Sequence, residues 1–435
     1  MSLERVGEGM HALISRLYPI CRSITGPGVR ETLAIVREEI PLAIHEVPSG
    51  TRAFDWTVPQ EWRIRDAYIE DAAGSRVVDF RRCNLHVVNY SRPTRARLTW
   101  SQLDQRLHSL PDRPDLIPYR TSYYAESWGF CLAHHQRQAL AARGDGAEYE
   151  VVIDAELSDG FLTYGELLLA GESSDEVLFS CHVCHPSLAN DNLSGVAVAT
   201  QLARRLADRP RRYSYRFLFL PATIGALVWL SQHPASLPRI KHGLVLTLLG
   251  DGGPLTYKRS RRGDAEIDRI AAHVLTRSNM SQRLLDFEPF GYDERQYCSP
   301  GFNLPIGCLM RSLPGEYPEY HSSADNLELV RPEHLADSWQ TCAAIVDVLE
   351  RNRTYVSLNP QGEPQLGRRG LYGTLGGKAG RAELEAALLW VLNQADGRHS
   401  LLDIAERSGL SFDLIAKGAD MLVEKDLIRE QPQAS

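Results

Sequence analysis

The chain has 435 residues, a net charge of −7 and 24% charged side chains, a length that accommodates two or three domains with sizeable cores. The mildly acidic balance excludes a large polyanion-binding surface, and no apolar run approaches the roughly eighteen residues of a membrane span. The start, MSLERVGEGM, lacks the basic and apolar regions of a secretory signal, so a cytoplasmic protein without membrane contact is expected.

Taken in chain order, residues 8–40 read as two helices joined by the punctuated link Ser23-Ile24-Thr25-Gly26-Pro27-Gly28. From 46 to 130 short runs such as Trp62–Ile69, Arg76–Phe80 and Asn84–Tyr90 alternate with Gly, Pro, Asp and Asn, as in a small β domain. Residues 132–143 return to helix, and Tyr149–Ala155, Gly160–Leu169 and Val177–Phe179 follow as strands. Helices and strands then alternate through Val196–Leu206, Arg216–Leu220, Gly243–Leu249, Ala265–Val274, Pro305–Met310 and Pro332–Arg351. That alternation predicts an α/β layered sheet with helices on both faces, and the β segment 46–130 is an insertion into a domain made of 1–45 and 131–358. A Gly, Pro and Arg-rich stretch, 360–380, marks the next boundary. Beyond it Leu384–Asn393, Ser400–Arg407 and Phe412–Glu424 read as three helices, with a helix-turn-helix type turn at Ser408-Gly409-Leu410-Ser411 and a short apolar Leu427-Ile428. This is a winged-helix domain over 380–435. Residues 381–430 hold six Lys/Arg against ten Asp/Glu, whereas a nucleic-acid reader presents a basic face. A protein contact or homo-oligomer through this domain is the expected role, with no nucleic-acid partner.

The chemistry concentrates in residues 177–195, VLFSCHVCHPSLANDNLSG. A buried strand ends in two imidazoles, His182 and His185, and a turn-forming stretch carrying Asp191, Asn192, Ser194 and Gly195 leads into a helix. Imidazole plus carboxylate at the carboxyl edge of a sheet is zinc-type ligation, while the plainer reading is a loop of hydrogen-bonded histidines. Eight scattered cysteines suit reduced thiols. Cys181-x-x-Cys184 has no second pair at zinc-ribbon spacing and its interleaved histidines are unlike a thioredoxin turn.

The segment resembles zinc aminopeptidases of the bacterial leucyl aminopeptidase and glutamate carboxypeptidase type. Their His-x-Asp at a strand end and Asp-Asn-x-Ser-Gly correspond to His182, Asp191, Asn192, Ser194 and Gly195. Asp293, Tyr297 and Gly301 keep step with the family's Ser-Asp-His-x-Pro-Phe-x-x-x-Gly-Ile-Pro, with Pro305 two residues late, and His321, Ser322, Ser323 and Asp325 match its closing His-Thr-x-x-Asp. The likeness is strongest to a bacterial branch with Cys-His-Pro-Ser in the first motif, Asp-Glu-Arg-Gln-Tyr in the second and a carboxyl-terminal winged helix, and it covers nearly the whole chain. It implies His182, Asp191 and His321 as zinc ligands, with His185 in reserve or as an imidazole behind the ligands. The departures are as informative. The His-x-Asp carboxylate is Cys184, and the family's Glu-Glu pair, base then ligand, is Ala222 and Thr223. The branch reads Pro-Glu-Thr-Ile-Gly there, so Thr223 is normal for it and Ala222 is not. Strand alignment puts Thr247 at the fourth carboxylate, with Asp251 a loop residue nearby. Two missing carboxylates imply one zinc per chain rather than two.

Substrate contacts are expected from Asp293, Arg295, Tyr297, Asn303 and Tyr320, with Glu294 and Glu319 as other carboxylates able to serve as base. The plainer reading of these residues is a salt-bridged loop network. Lys258, Arg259, Arg261 and Arg262 read as a solvated basic loop, and Tyr119, Tyr123, Tyr124, Trp128 and Phe130 as packing of the insertion onto the site's rim. The sequence thus points to a metal-dependent hydrolase of aminopeptidase type acting on a short peptide or aminoacylated small molecule, impaired by Ala222. The alternative is a non-catalytic, metal-containing peptide binder; a transcriptional regulator is a weaker third reading.

Overall fold

The computed structural model describes residues 2–371 and 379–431, so residues 372–378 of the Gly, Pro and Arg-rich stretch and the last four residues of the chain lie outside the described residues. The chain divides into two compact units, one of residues 1–268 and 280–340, the other of residues 269–279 and 341–435.

The first unit is built on an eight-stranded sheet. Its order is Ala43–Pro48, Phe161–Leu169, Ser214–Leu220, Glu176–His182, Ile240–Leu246, Ile306–Met310, Leu255–Lys258 and Gln282–Leu285. The four strands from Ser214–Leu220 to Ile306–Met310 run parallel, and the Ala43, Phe161 and Leu255 strands pair antiparallel to their inner neighbours. Every residue of Glu176–His182 and of Ser214–Leu220 is buried, as strands covered on both faces require, and hence their near-continuous apolar runs. The helix Gly195–Ala207 carries a run of small and β-branched residues, Val196 to Thr200, all buried. Ile224–Gln232 is apolar around its circumference and is buried from Ile224 to Leu230. A mixed α/β layer architecture with a large sheet flanked by helices is the result.

The β segment forms a second, four-stranded antiparallel sheet in the order Arg76–Asp79, Glu61–Asp71, Glu148–Ser158, Thr94–Thr99. Two readings shift. Glu148–Ser158 pairs with strands of the β segment, so that sheet reaches beyond residue 130. Asn84–Tyr90 is not a strand but begins with a 3₁₀ turn, Asn84–His86.

The second unit holds a three-stranded sheet, Asp396–Ser400, Thr354–Ser357 and Ile428–Glu430, with helices Ala379–Gln394, Leu401–Ser408 and Phe412–Glu424. Ser400 and Ser411 cap the last two helices, and Gly409 makes the turn between them at φ 74°, a left-handed conformation that favours glycine. Thr354–Ser357, read from sequence as the tail of the catalytic domain, is the middle strand of this winged-helix sheet. Among the described residues no helix is long and apolar enough to cross a membrane, and all eight cysteines are free thiols.

Candidate metal centre

His182 is the last residue of its strand and pairs in register with Leu220 of the neighbouring parallel strand. The strand on its other side pairs Val245 with Ser180 and ends at Leu246, with Thr247 just beyond its end. The chain after His182 therefore emerges at the carboxyl edge between two strand ends, the usual ligand position in parallel sheets. The following loop is fixed from within. Asn190 accepts from Gly250 N–H at 2.8 Å and donates to Asp251 at 2.7 Å, and Ser194 accepts from Leu249 N–H at 2.8 Å. Asn192 donates to the Leu246 carbonyl at 3.0 Å. A Cβ on Gly195 would lie 2.4 Å from both the Asn192 side chain and the Leu246 carbonyl, so only glycine fits there. Asp325 completes the clamp, its carboxylate accepting the backbone N–H groups of Asn190 at 2.6 Å and Asp191 at 3.0 Å.

This scaffold presents Asp191 to three imidazoles. His182 Nε2 lies 2.9 Å from Oδ1, His321 Nε2 2.9 Å from Oδ2, and His185 Nδ1 3.4 Å from Oδ1. His182, His185 and Asp191 offer ligand atoms all within 4.8 Å of one another, so His185 stands among the candidate ligands. Its carbonyl is held by Nε of the buried Arg22 at 2.8 Å. His321 adopts φ 51°, a left-handed backbone uncommon for residues other than glycine. Burial pushes the Asp191 carboxyl up, but the His185 charge and hydrogen bonds from all three histidines outweigh it and hold the group well below the ordinary range. Burial holds the His182 imidazole below its usual value against the pull of Asp191. An ionised carboxylate beside a neutral imidazole is the protonation state that binds zinc, and the donor set fits that metal.

Aromatic rings wall the cluster. Tyr292 stacks on His182 with centroids 4.8 Å apart, Tyr320 stacks on His321 at 4.0 Å, and Tyr119 meets His185 and His321 edge-on at 5.0 and 5.1 Å. Tyr119 comes from the β segment, whose Ile117 also exchanges hydrogen bonds with Ser323 beside His321. Nothing local in the sequence marks Tyr292 or Tyr119 for these contacts, which join residues far apart in the chain.

The remaining site residues separate. Ala222 is half-buried just past the strand paired with His182, its carbonyl 3.9 Å from the Cys184 thiol; a methyl group there can neither accept a proton nor bind metal. Asp251 is a buried loop residue whose second oxygen takes Ser312 and Gly253 N–H. Glu294 is buried and paired with the buried Lys258 ammonium at 2.5 Å. Tyr297 is fully buried and bonds Ser180 at 3.0 Å. Asn303 is likewise engaged, taking Arg261 at 3.0 Å on an exposed loop. Glu319 and Arg295 are half-buried and Tyr320 lies at the cluster. Asp293 is fully buried, and burial with the adjacent Glu294 charge pushes its carboxyl up to about 7.

Residues 11–352 match a family described as a domain of unknown function (DUF4910), and residues 353–430 match a winged helix-turn-helix family. A protein of Clostridium acetobutylicum named "Putative polysaccharide biosynthesis protein with aminopeptidase-like domain" is 50% identical over 428 residues, which span 98% of this chain and 97% of that protein. A crystal structure of a "putative peptidase" from the same organism has 48% identity and a TM-score of 0.93, covering 99% of this chain and 97% of its own. BSAP, a zinc aminopeptidase of Bacillus subtilis, covers 78% of this chain and 94% of its own at a TM-score of 0.54. Its identity is 13%, so that likeness is one of fold.

Proposed function

The chain belongs to the DUF4910 family, has the zinc aminopeptidase fold and ends in a winged helix, and from that premise we propose a zinc-dependent hydrolase of aminopeptidase type. It acts on an amide bond in a short peptide or an aminoacylated small molecule. The observation that carries this reading is the gathering of His182, His185 and His321 on the buried Asp191 carboxylate at the sheet's carboxyl edge. His182, Asp191 and His321 would hold one zinc, with His185 beside them. Bound there, zinc supplies Lewis-acid polarisation of water and of the scissile carbonyl.

The chain's own residues do the rest. Asp325 holds the Asp191 backbone, Arg22 fixes the His185 loop, and Tyr292 and Tyr320 stack on the imidazoles of His182 and His321. Tyr320, Glu319 and Arg295 are the substrate-facing groups, a carboxylate suiting a free amino group and a guanidinium a carboxylate. Position 222 is where proton transfer fails, since a missing general base costs roughly 10²–10⁴ in rate. An aminoacylated sugar lies within this substrate class and agrees with the name of the Clostridium relative.

Zinc content of the purified full chain tests the assignment, compared with the triple variant His182→Ala, Asp191→Ala, His321→Ala. Zinc absent from the parent protein, or unchanged in the variant, sinks it. Ala222 itself favours a second reading, a metal-containing binder that holds peptides without cleaving them. Ala222→Glu separates the two. A hydrolase gains roughly two decades or more in turnover with zinc affinity unchanged, whereas a pure binder stays inert.

A further inference from the structure

The histidine that ends the central strand lacks the partner a metal-ligating imidazole needs. His182 turns Nε2 toward Asp191, and its Nδ1 is buried without a hydrogen-bond partner among the described residues. A ligating histidine almost always passes its other ring N–H to a carboxylate, carbonyl or water, which fixes the ring and raises its basicity. In the family that this chain resembles, the residue two after the histidine is an aspartate; here it is Cys184.

A complementary orphan belongs to the residue after Tyr292, whose ring stacks on His182. Both carboxylate oxygens of Asp293 are buried without a partner among the described residues, and the residue is 1% exposed. Its position follows from the register of a short helix on a strand. Asp293 has helical backbone and immediately precedes Glu294–Tyr297, so it shares a face with Tyr297 four residues on, a rise of about 6 Å. Ser180 and His182 share one face of their strand about 6.8 Å apart. The Tyr297 hydroxyl sits 3.0 Å from the Ser180 hydroxyl, and the Tyr292 ring lies on the His182 ring. With these two contacts fixed, the short helix runs opposite to the strand, so Asp293, next to Tyr292, falls on the His182 side of Tyr297.

We infer that Asp293 is the positioning carboxylate of His182, supplied from the 290s loop instead of from position 184. On loading of the site, His182 Nδ1–H donates to Asp293 directly or through one water, and the imidazole is held with Nε2 toward the metal. This rests on the zinc reading above and gives Asp293 a role other than substrate contact.

Zinc affinity of the full chain, measured by competition with a chelator, tests it without any substrate. Asp293→Asn is expected to weaken zinc roughly 10–100-fold. Cys184→Asp placed in that background restores the affinity by returning the carboxylate to the family's position. The parent protein also gives a readout that needs no variant to fold. Labelled with ¹⁵N-histidine and loaded with zinc, it shows a slowly exchanging, downfield Nδ1 proton on His182, absent from Asp293→Asn. Equal zinc affinity in parent and Asp293→Asn, or no such protected proton in the loaded parent, overturns the inference and leaves the metal site standing. Failure of the parent to bind zinc overturns both.

Discussion

Asp191 is the residue on which the centre turns, because one buried carboxylate serves three imidazoles. Its depressed pKa makes a stability statement whose sign can be worked out. A carboxyl held below its unfolded value contributes stability that is present above the ordinary carboxyl pKa, about 3.9, and lost as pH falls through the folded value. Asp191→Asn in zinc-free protein should therefore cost about 1–3 kcal/mol near neutrality, and the gap from the parent should close in acid. Urea titrations over a pH series measure it, and a gap that stays constant into the acid range would refute the linkage. At this scale His182, Asp191 and His321 were legible because their motifs are local strings. The tie of Glu294 to Lys258 was not legible, since a sequence displays charges without their pairing. Tyr297 looked like a site residue because it sits in a site motif; the structure turns it onto Ser180 in the core.

Among the elements, the strand Ser214–Leu220 leads toward the base position and carries a charge that its neighbours must cancel. Arg216 is buried, bonded through Nε to Glu176 at 2.6 Å on the parallel strand and through Nη1 to Glu166 on the antiparallel one. The triad spans three adjacent strands and pins their register, since a slip by one residue would carry each charge to the opposite face. Removing Arg216 leaves Glu166 without its guanidinium and Glu176 with Arg239 alone, at 2.9 Å. Arg216→Met should destabilise by about 3–5 kcal/mol, while adding Glu166→Leu and Glu176→Leu should recover most of the loss. Urea unfolding of the single and triple variants decides this; a triple variant no better than the single would show that the charges are not what the single loses. Alternation of strand and helix made the layered sheet legible. The pairing of Glu148–Ser158 with Glu61–Asp71, and of Thr354–Ser357 with Ile428–Glu430, was hidden. A strand's periodicity says that one face is covered but not which distant strand lies beside it.

At the scale of the whole molecule, the centre and the winged helix fall in different units. His182, His185, Asp191 and His321 all belong to the first, and the helices Leu401–Ser408 and Phe412–Glu424 to the second. A ligand that binds only the folded form stabilises it by RT ln(1 + [L]/Kd), about 4 kcal/mol at a thousandfold excess over Kd. That stabilisation acts on openings that expose the ligands. Zinc should slow amide exchange in Glu176–His182, in the 189–194 loop and in the segment around His321, where backbone groups of Asn190, Asp191 and Ser323 are already engaged. Exchange in Phe412–Glu424 should be unchanged, because none of the cluster residues lies in its unit. Hydrogen-exchange mass spectrometry of the full chain with zinc and with chelator separates the cases. Protection of the winged helix equal to that of the 189–194 loop would mean that the two units open together, and that the carboxyl-terminal unit reports the occupancy of the metal centre.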